Sequence, residues 1–427
     1  MGGTVDVGRL SVRDVECLAE ELAEFMKPYL DVVGWSSREK HLTSFVAGLL
    51  GGTERKSVEP IALAQGVDRQ QLQYFVGVSP WDHVPLLRQL QAEVARDLSD
   101  PQGILVVDGS ATPKKGIESV GVARQWCGRL GKVDNCQVGI YLAYAGKGSC
   151  ALVDERLYLP RAWANDPARR SKAKVPDTVT FQKPWVLADE MLRQVGPRLP
   201  HRWIVADTEY GRSSLFRDRL AKRAERYMLE VPSNISVRRV ATGSVGRRPG
   251  WHRVADFVKR RPISEWAHFT VRDGHKGPIE VIATAYRVQT RRRGRPRVET
   301  LLAMEALGTD ERWFFLSNTP LHTSLGEMVS AASRRHLIEE AFENAKGEVG
   351  LDHYEVRAWR GWHHHMTASL MALWFLVREH RRLGEKSTDL GGDGALHDLR
   401  AATSAALAAR HRGTLPLPTQ AQRRGAH

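Results

Sequence analysis

At 427 residues the chain is longer than one ordinary hydrophobic core supports, so two or three domains are expected. Its formal net charge of +14 and isoelectric point near 9.8 favour a polyanionic partner, because neutralising phosphates releases condensed counterions; charge alone still admits ribosomal or membrane-surface roles. Cys17, Cys127, Cys136 and Cys150 form no CxxC pair, the chain opens on no charged-then-apolar leader, and the longest apolar stretch, 366–377, is too short to span a bilayer. These features speak against a secreted or membrane-spanning protein and for a reduced, cytoplasmic one.

Residues 1–98 read as helical, with apolar positions at three and four spacing over 15–26, 44–50, Val58–Ala64 and Val84–Leu98. Pro60-Ile61-Ala62-Leu63-Ala64-Gln65-Gly66-Val67-Asp68-Arg69-Gln70-Gln71-Leu72-Gln73 has the form of a helix-turn-helix, with Gly66 in the turn and Gln70, Gln71 and Gln73 free to face base edges. A helical packing unit without DNA contact would carry the same pattern. From Gly103 the period changes. Strands over 104–108, 137–143 and 151–159, joined by turns such as Ala145-Gly146-Lys147-Gly148, predict three consecutive antiparallel strands. A helix over 185–195, a strand over 203–207, a helix over 215–224 and a strand over 227–231 follow. Three strands, a helix, a strand, a helix and a strand is the element order of the ribonuclease H-like fold, so the expected class is α/β with a ribonuclease H-like core behind an α-helical N-terminal domain.

Asp207 and Glu339 lie too far apart for a loop, which implies a folded β-rich insertion with strands over 279–286, 299–307 and 312–316. Within it, Arg291-Arg292-Arg293-Gly294-Arg295-Pro296-Arg297 carries a Gly-Arg-Pro core that suits a minor groove or, more simply, a phosphate-binding hairpin. A helix around 366–382 then packs on the core, and Gln420 to His427 read as disordered. The expected division is a helical, DNA-binding domain over 1–98, a first core part over 99–234, the insertion over 235–320, a second core part with the catalytic helix over 321–384, and a basic, partly disordered tail over 385–427.

Three carboxylates stand out. Asp108 ends Ile104-Leu105-Val106-Val107, Asp207 ends Trp203-Ile204-Val205-Ala206, and Glu339 shares a predicted helical stripe with Arg335, Phe342 and Lys346. Oxygen ligands of this kind suit two Mg²⁺ or Mn²⁺ ions about 4 Å apart that activate an attacking hydroxyl and steady the leaving oxygen of a phosphodiester. Any one acid is a weak pick among 49, since a strand-end aspartate is often only a cap. Glu340 and Glu343 compete with Glu339, while Asp154, followed by Glu155-Arg156, reads as an exposed edge position. Arg335 and Lys346 flank Glu339 and could clamp the phosphates of the cleaved strand. Lys114 and Lys115 bring two further cations beside Asp108, in a loop whose glycine spacing is not that of a P-loop. His363-His364-His365 cannot all reach one ion from a helix and are read as DNA-backbone or packing residues.

Taken together, Val107-Asp108-Gly109-Ser110 through Lys114-Lys115-Gly116, Ser119-Val120-Gly121-Val122-Ala123-Arg124-Gln125-Trp126, Asn135-Cys136-Gln137-Val138-Gly139, Ala206-Asp207-Thr208-Glu209-Tyr210-Gly211 and Gly350-Leu351-Asp352-His353-Tyr354-Glu355-Val356-Arg357 resemble a bacterial insertion-sequence transposase of the DDE type, in the superfamily-endonuclease group. The group's Tyr-Arg-Glu-Lys signature falls on Arg335, Glu339 and Lys346, with Ala332 in the tyrosine place. The resemblance implies metal ligation by Asp108, Asp207 and Glu339, excision and strand transfer on double-stranded DNA, and a homodimer on that DNA in a nucleoid-associated setting. The arginine run itself leads to expected DNA contacts from Arg291, Arg292, Arg293 and Arg295. Trp313, at the end of the insertion, would be the tryptophan that stacks a flipped base, or equally a core ring beside Phe314 and Phe315. A non-catalytic DNA-binding regulator derived from such an enzyme, or a hydrolytic DNA nuclease, is the alternative.

Overall fold

In a computed structural model, described for residues 12–240, 249–274, 277–292, 294–384 and 395–411, the apolar run from Ile104 forms the buried centre of one twelve-stranded sheet. Five helices precede it: α1 (Val12–Val33), α2 (Ser36–Leu50), α3 (Val58–Ala64), α4 (Arg69–Gly77) and α5 (Val84–Leu98). The central strands and their helices follow as β1 (Ile104–Pro113), β2 (Ala123–Cys127), β3 (Lys132–Gly146), β4 (Ser149–Leu157), α6 (Arg161–Ala164), α7 (Pro167–Lys172), α8 (Pro184–Val195), β5 (Trp203–Ala206), α9 (Thr208–Gly211), α10 (Ser214–Lys222) and β6 (Tyr227–Glu230). Next come β7 (Ser236–Arg239), β8 (His252–Arg253), α11 (Val254–Lys259), β9 (Ala267–Gly274), β10 (Gly277–Thr290), β11 (Arg297–Ala306) and β12 (Arg312–Ser317). The chain closes on α12 (Leu325–Ser333), α13 (His336–Val349), α14 (Trp359–Gly384) and α15 (Ala395–His411).

β1 pairs antiparallel with β3 and parallel with β5, and β5 pairs parallel with β6. Their residues are apolar almost without alternation because helices cover the sheet here: α8 packs on β3 and β4, and α13 and α14 pack on β1 and β4. The β-rich segment after β6 does not hang from a loop. β12 returns to pair antiparallel with β6, and β11, β10, β7 and β8 continue the sheet outward. A second, smaller core of Val237, Phe257, Val288, Leu301 and Phe314 holds that extension together.

Two expectations change here. Asp108 does not close its strand: β1 runs on to Pro113 because β3 keeps pairing after β5 has ended. The expected tail contains a packed helix, α15, whose Leu399, Ala402 and Ala406 are buried and whose Arg410 donates to the Ala19 carbonyl of α1. Residues 385–394 and 412–427, including the stretch read as disordered, lie outside the described residues.

α14 is buried on all sides from Gly361 to Val377, which accounts for its long apolar run. It packs against α2, α4, α5, α13, α15 and β4, so the N-terminal helices share one core with the C-terminal ones. No helix among the described residues is long and apolar enough to cross a membrane.

Candidate active site

The last parallel pair of β1 and β5 is Val107 with Ala206, and the last pair of β5 and β6 is Ala206 with Leu229. The next residue on each strand is Asp108, Asp207 and Glu230. A row of three carboxylates therefore crosses the carboxyl ends of three adjacent parallel strands, where open α/β sheets place their ligands. Glu230 was missed in the sequence, although Tyr227-Met228-Leu229-Glu230 repeats the signal of an apolar strand closed by an acid.

Each aspartate is fixed locally. Asp108 Oδ1 accepts from the Gly109 backbone N–H at 2.7 Å. Asp207 caps α9, its Oδ1 accepting from the Glu209 N–H at 2.9 Å, so the cap reading and the site reading hold together. Burial pushes the Asp108 carboxyl up to about 7, with the Asp207 charge adding to it and Arg335 opposing. Burial likewise raises Asp207 and Glu230.

Arg335 sits among these acids at the N-terminus of α13. Its Nη1 lies 2.7 Å from Glu339 Oε1 and 3.9 Å from Asp108 Oδ2, and its Nε lies 3.4 Å from Glu230 Oε2. Burial works against this guanidinium's charge, but Glu339, Asp108 and Glu230 outweigh it and raise its pKa. In this state Arg335 is the counter-charge of the cluster, and it faces carboxylates where a phosphate clamp was expected. The carboxylates themselves are not drawn tight. Among the described residues, only His83, Glu155 and His363 bring three metal-ligating atoms within 4.8 Å of one another.

Glu339 is half exposed at the rim. Of its competitors, Glu340 turns away to Arg272 at 2.7 Å, and Glu343 is exposed. Lys346 lies farther along α13, 5.6 Å from the Phe342 ring centroid, its pKa lowered by burial despite the nearby Asp352 charge. Ala332 is buried in α12.

Lys115 is exposed, as a phosphate contact requires. Lys114 is not free: its amine donates to the Tyr354 carbonyl at 2.9 Å and lies 3.5 Å from the Tyr354 ring centroid, and burial lowers it to about 8. In the arginine run, Arg291 and Arg295 are exposed, and Arg293 lies outside the described residues. Arg292 must be corrected. Its side chain is 3% exposed and pairs with Asp218 at 3.0 Å and Glu299 at 2.6 Å. Glu299 is wholly buried and also accepts from Arg217 and the Tyr227 hydroxyl; burial alone would raise its carboxyl, but Arg217 and Arg292 hold it below the usual value. Arg292 thus anchors the hairpin to α10 and is not a DNA contact. Beside it, Arg219, Lys222, Arg295 and Arg297 line a basic groove of about 420 Å³.

Trp313 is half-buried, opposite Met304 in β11, and packs against the main core. Asp154 is also corrected: it is buried and pairs with Arg156 at 2.6 Å. The three histidines are buried and do not reach a DNA backbone. His364 stacks on Trp81 and bonds the Val76 and Trp81 carbonyls, and His365 bonds the Gly350 carbonyl. In the helix-turn-helix segment, Gly66 does take the left-handed turn at φ 61°, and Gln70, Gln71 and Gln73 are exposed.

Against known proteins, a protein named "Probable transposase for insertion sequence element IS701" from Microchaete diplosiphon is 36% identical over 118 residues, 27% of this chain. The match spans only 30% of that relative's length. A cryo-EM structure of a piggyBac transposase synaptic complex with hairpin DNA aligns at 11% identity and a TM-score of 0.37, over 99% of this chain and 76% of that one. The family described as DDE superfamily endonuclease matches residues 28–297, a span that takes in Asp108, Asp207 and Glu230. The chain belongs to the DDE superfamily endonucleases.

Proposed function

We propose that this chain is a DNA transposase that cuts at the ends of its mobile element and joins them to target DNA by two-metal phosphoryl transfer. The observation that carries the reading is the alignment of Asp108 and Asp207 just past the last paired residues of β1 and β5, with Arg335 and Glu339 of the α13 turn against them. The strand order β4-β3-β1-β5-β6, in which β3 alone runs against the others, antiparallel to both β1 and β4, supports a ribonuclease H-like core carrying a β-rich insertion. Membership of the DDE superfamily endonucleases supports DNA as the substrate.

The donor set fits a hard divalent ion: every ligand is a carboxylate oxygen, and burial beside like charge leaves Asp108 poised near neutrality. Asp108, Asp207 and Glu339 would hold Mg²⁺ or Mn²⁺, which supplies activation of the attacking oxygen and stabilisation of the leaving one. Glu230, which shares the Arg335 guanidinium with Asp108, would be a further candidate for that work. Arg335 balances the acids before loading and turns its fork toward the phosphate once they are neutralised. Lys115, Lys346 and the basic groove with Arg291 and Arg295 hold the backbone of double-stranded DNA. The exposed glutamines of α4 read the element's ends. Two ends must be held together for joining, so two copies act as a homodimer on DNA.

The test offers the purified chain a duplex carrying one element end, a target plasmid, and Mg²⁺ or Mn²⁺. Covalent joining of the 3′ end to the target supports the proposal. Cutting without joining points to a hydrolytic nuclease, and tight binding without cutting under either metal points to a regulator.

A further inference from the structure

Away from the carboxylate row, three elements distant in sequence converge on one buried spot: His83 at the start of α5, Glu155 in β4 and His363 in α14. We infer that His83, Glu155 and His363 bind one transition-metal ion of the zinc class, at a site distinct from the carboxylate row. One ligand atom from each lies within 4.8 Å of the other two. His363 Nδ1 and Glu155 Oε1 share a hydrogen bond of 2.8 Å, which an ion would replace by opening the pair to the about 3.3 Å that separates two ligands of a tetrahedral ion with bonds near 2.0 Å. The His83 and His363 rings stack at 4.6 Å between centroids with 20° between their planes.

The second, independent observation is what these groups lack. Glu155 is wholly buried, and its Oε2 has no hydrogen-bond partner; the same is true of His363 Nε2. Arg156 makes no hydrogen bond to the Glu155 carboxylate: its guanidinium goes to the Asp154 carboxylate and, at 2.6 Å, to the backbone carbonyl of Glu155, so its charge offsets Glu155 only through space. Leaving one oxygen of a buried carboxylate unpartnered is costly, and an ion would supply the partner that Oε2 lacks.

Two imidazoles with one carboxylate select zinc, cobalt or nickel over magnesium. The ion has an entry path. His83 and His363 line a cavity of about 650 Å³ together with Asp154, Arg156, Glu190 and Gln194, so a fourth ligand position could face water there. The bound ion would tie the N-terminal helices, the sheet and the central helix at one point. This inference does not depend on the transposase reading.

The experiment loads the full chain with Zn²⁺ or Co²⁺ in the presence of excess Mg²⁺, removes free ion by gel filtration, and measures metal per chain. The native chain and an Asp108→Asn, Asp207→Asn double variant should each retain about one equivalent, and the cobalt form should show the visible ligand-field absorption of a nitrogen-containing site. His83→Gln, on the cavity wall, should lose at least about tenfold in affinity. Should that variant misfold, the native cobalt spectrum and the double variant still decide. Retention that is equal in native chain and folded His83→Gln, or retention that disappears in the double variant, overturns the site. A folded native chain that keeps no ion overturns it as well.

Discussion

Replacing Asp108 by asparagine should stabilise the metal-free chain at alkaline pH and leave it almost unchanged at acid pH. The Asp108 carboxyl is lifted from 3.8 to about 7, first by burial and then by Asp207. Such a group binds its proton more tightly folded than unfolded. Its contribution to stability is complete below pH 4 and is lost as pH rises through 7. A rise of that size penalises the charged form by about 4 kcal/mol. Asp108→Asn should recover about half of it, roughly 2 kcal/mol, because Asp207 and Glu230 still repel each other and the attraction to Arg335 is given up. Thermal unfolding followed by circular dichroism in EDTA should show the variant melting about 2 °C above the native chain at pH 8, with that gap shrinking by more than half at pH 5. Adding Mg²⁺ at pH 8 should reverse the order, since only the native chain gains the ion's binding energy. A variant destabilised equally at both pH values, with no reversal by Mg²⁺, would refute the claim that this carboxylate is held under electrostatic load for a cation.

The arginine run should split in two. Arg292→Ala strands the wholly buried Glu299 and should cost about 3 kcal/mol of stability in a denaturant titration; a change in DNA affinity with no loss of stability would contradict the anchoring role. Arg291→Ala with Arg295→Ala should leave stability alone and lower the salt slope of DNA binding by up to about 2, and an unchanged slope would return that hairpin tip to a solvated loop. Arg335→Ala should weaken the metal-free chain by about 1–3 kcal/mol and tighten Mg²⁺ binding by calorimetry, because the competing cation is gone; weaker Mg²⁺ binding would mean that Arg335 does not act as the counter-charge.

Much of the carboxylate row was readable because the strands that carry it are buried on both faces. Val107-Asp108 and Ala206-Asp207 announce themselves as apolar runs that stop at an acid. Glu230 ends the same kind of run, but its importance depends on β6 lying parallel beside β5, a fact of register that periodicity does not carry. The arginine run misled for a related reason: sequence gives the charge of Arg292 but not the burial of Glu299, which comes from the neighbouring strand at the same hairpin. Trp313 has an equal claim to core and to DNA in the sequence, and the fold sets it half-buried against the main core. α15 escaped notice because alanines bury little area each, so a helix that packs through Leu399, Ala402 and Ala406 looks like a polar tail. The His363-His364-His365 triplet turns its three rings to different partners along α14. The site inferred at His363 instead draws its other ligands from α5 and β4, elements that no local pattern could have joined.

The central claim is that Asp108 serves metal-dependent cutting of DNA at the boundaries of a mobile element. The most direct test incubates a supercoiled plasmid carrying the DNA that flanks this gene with the native chain or with Asp108→Ala, in Mg²⁺ or Mn²⁺. The account predicts cuts mapping to the element's boundaries that require the metal and vanish in the variant while DNA binding persists. Boundary cuts of undiminished rate from Asp108→Ala would contradict it.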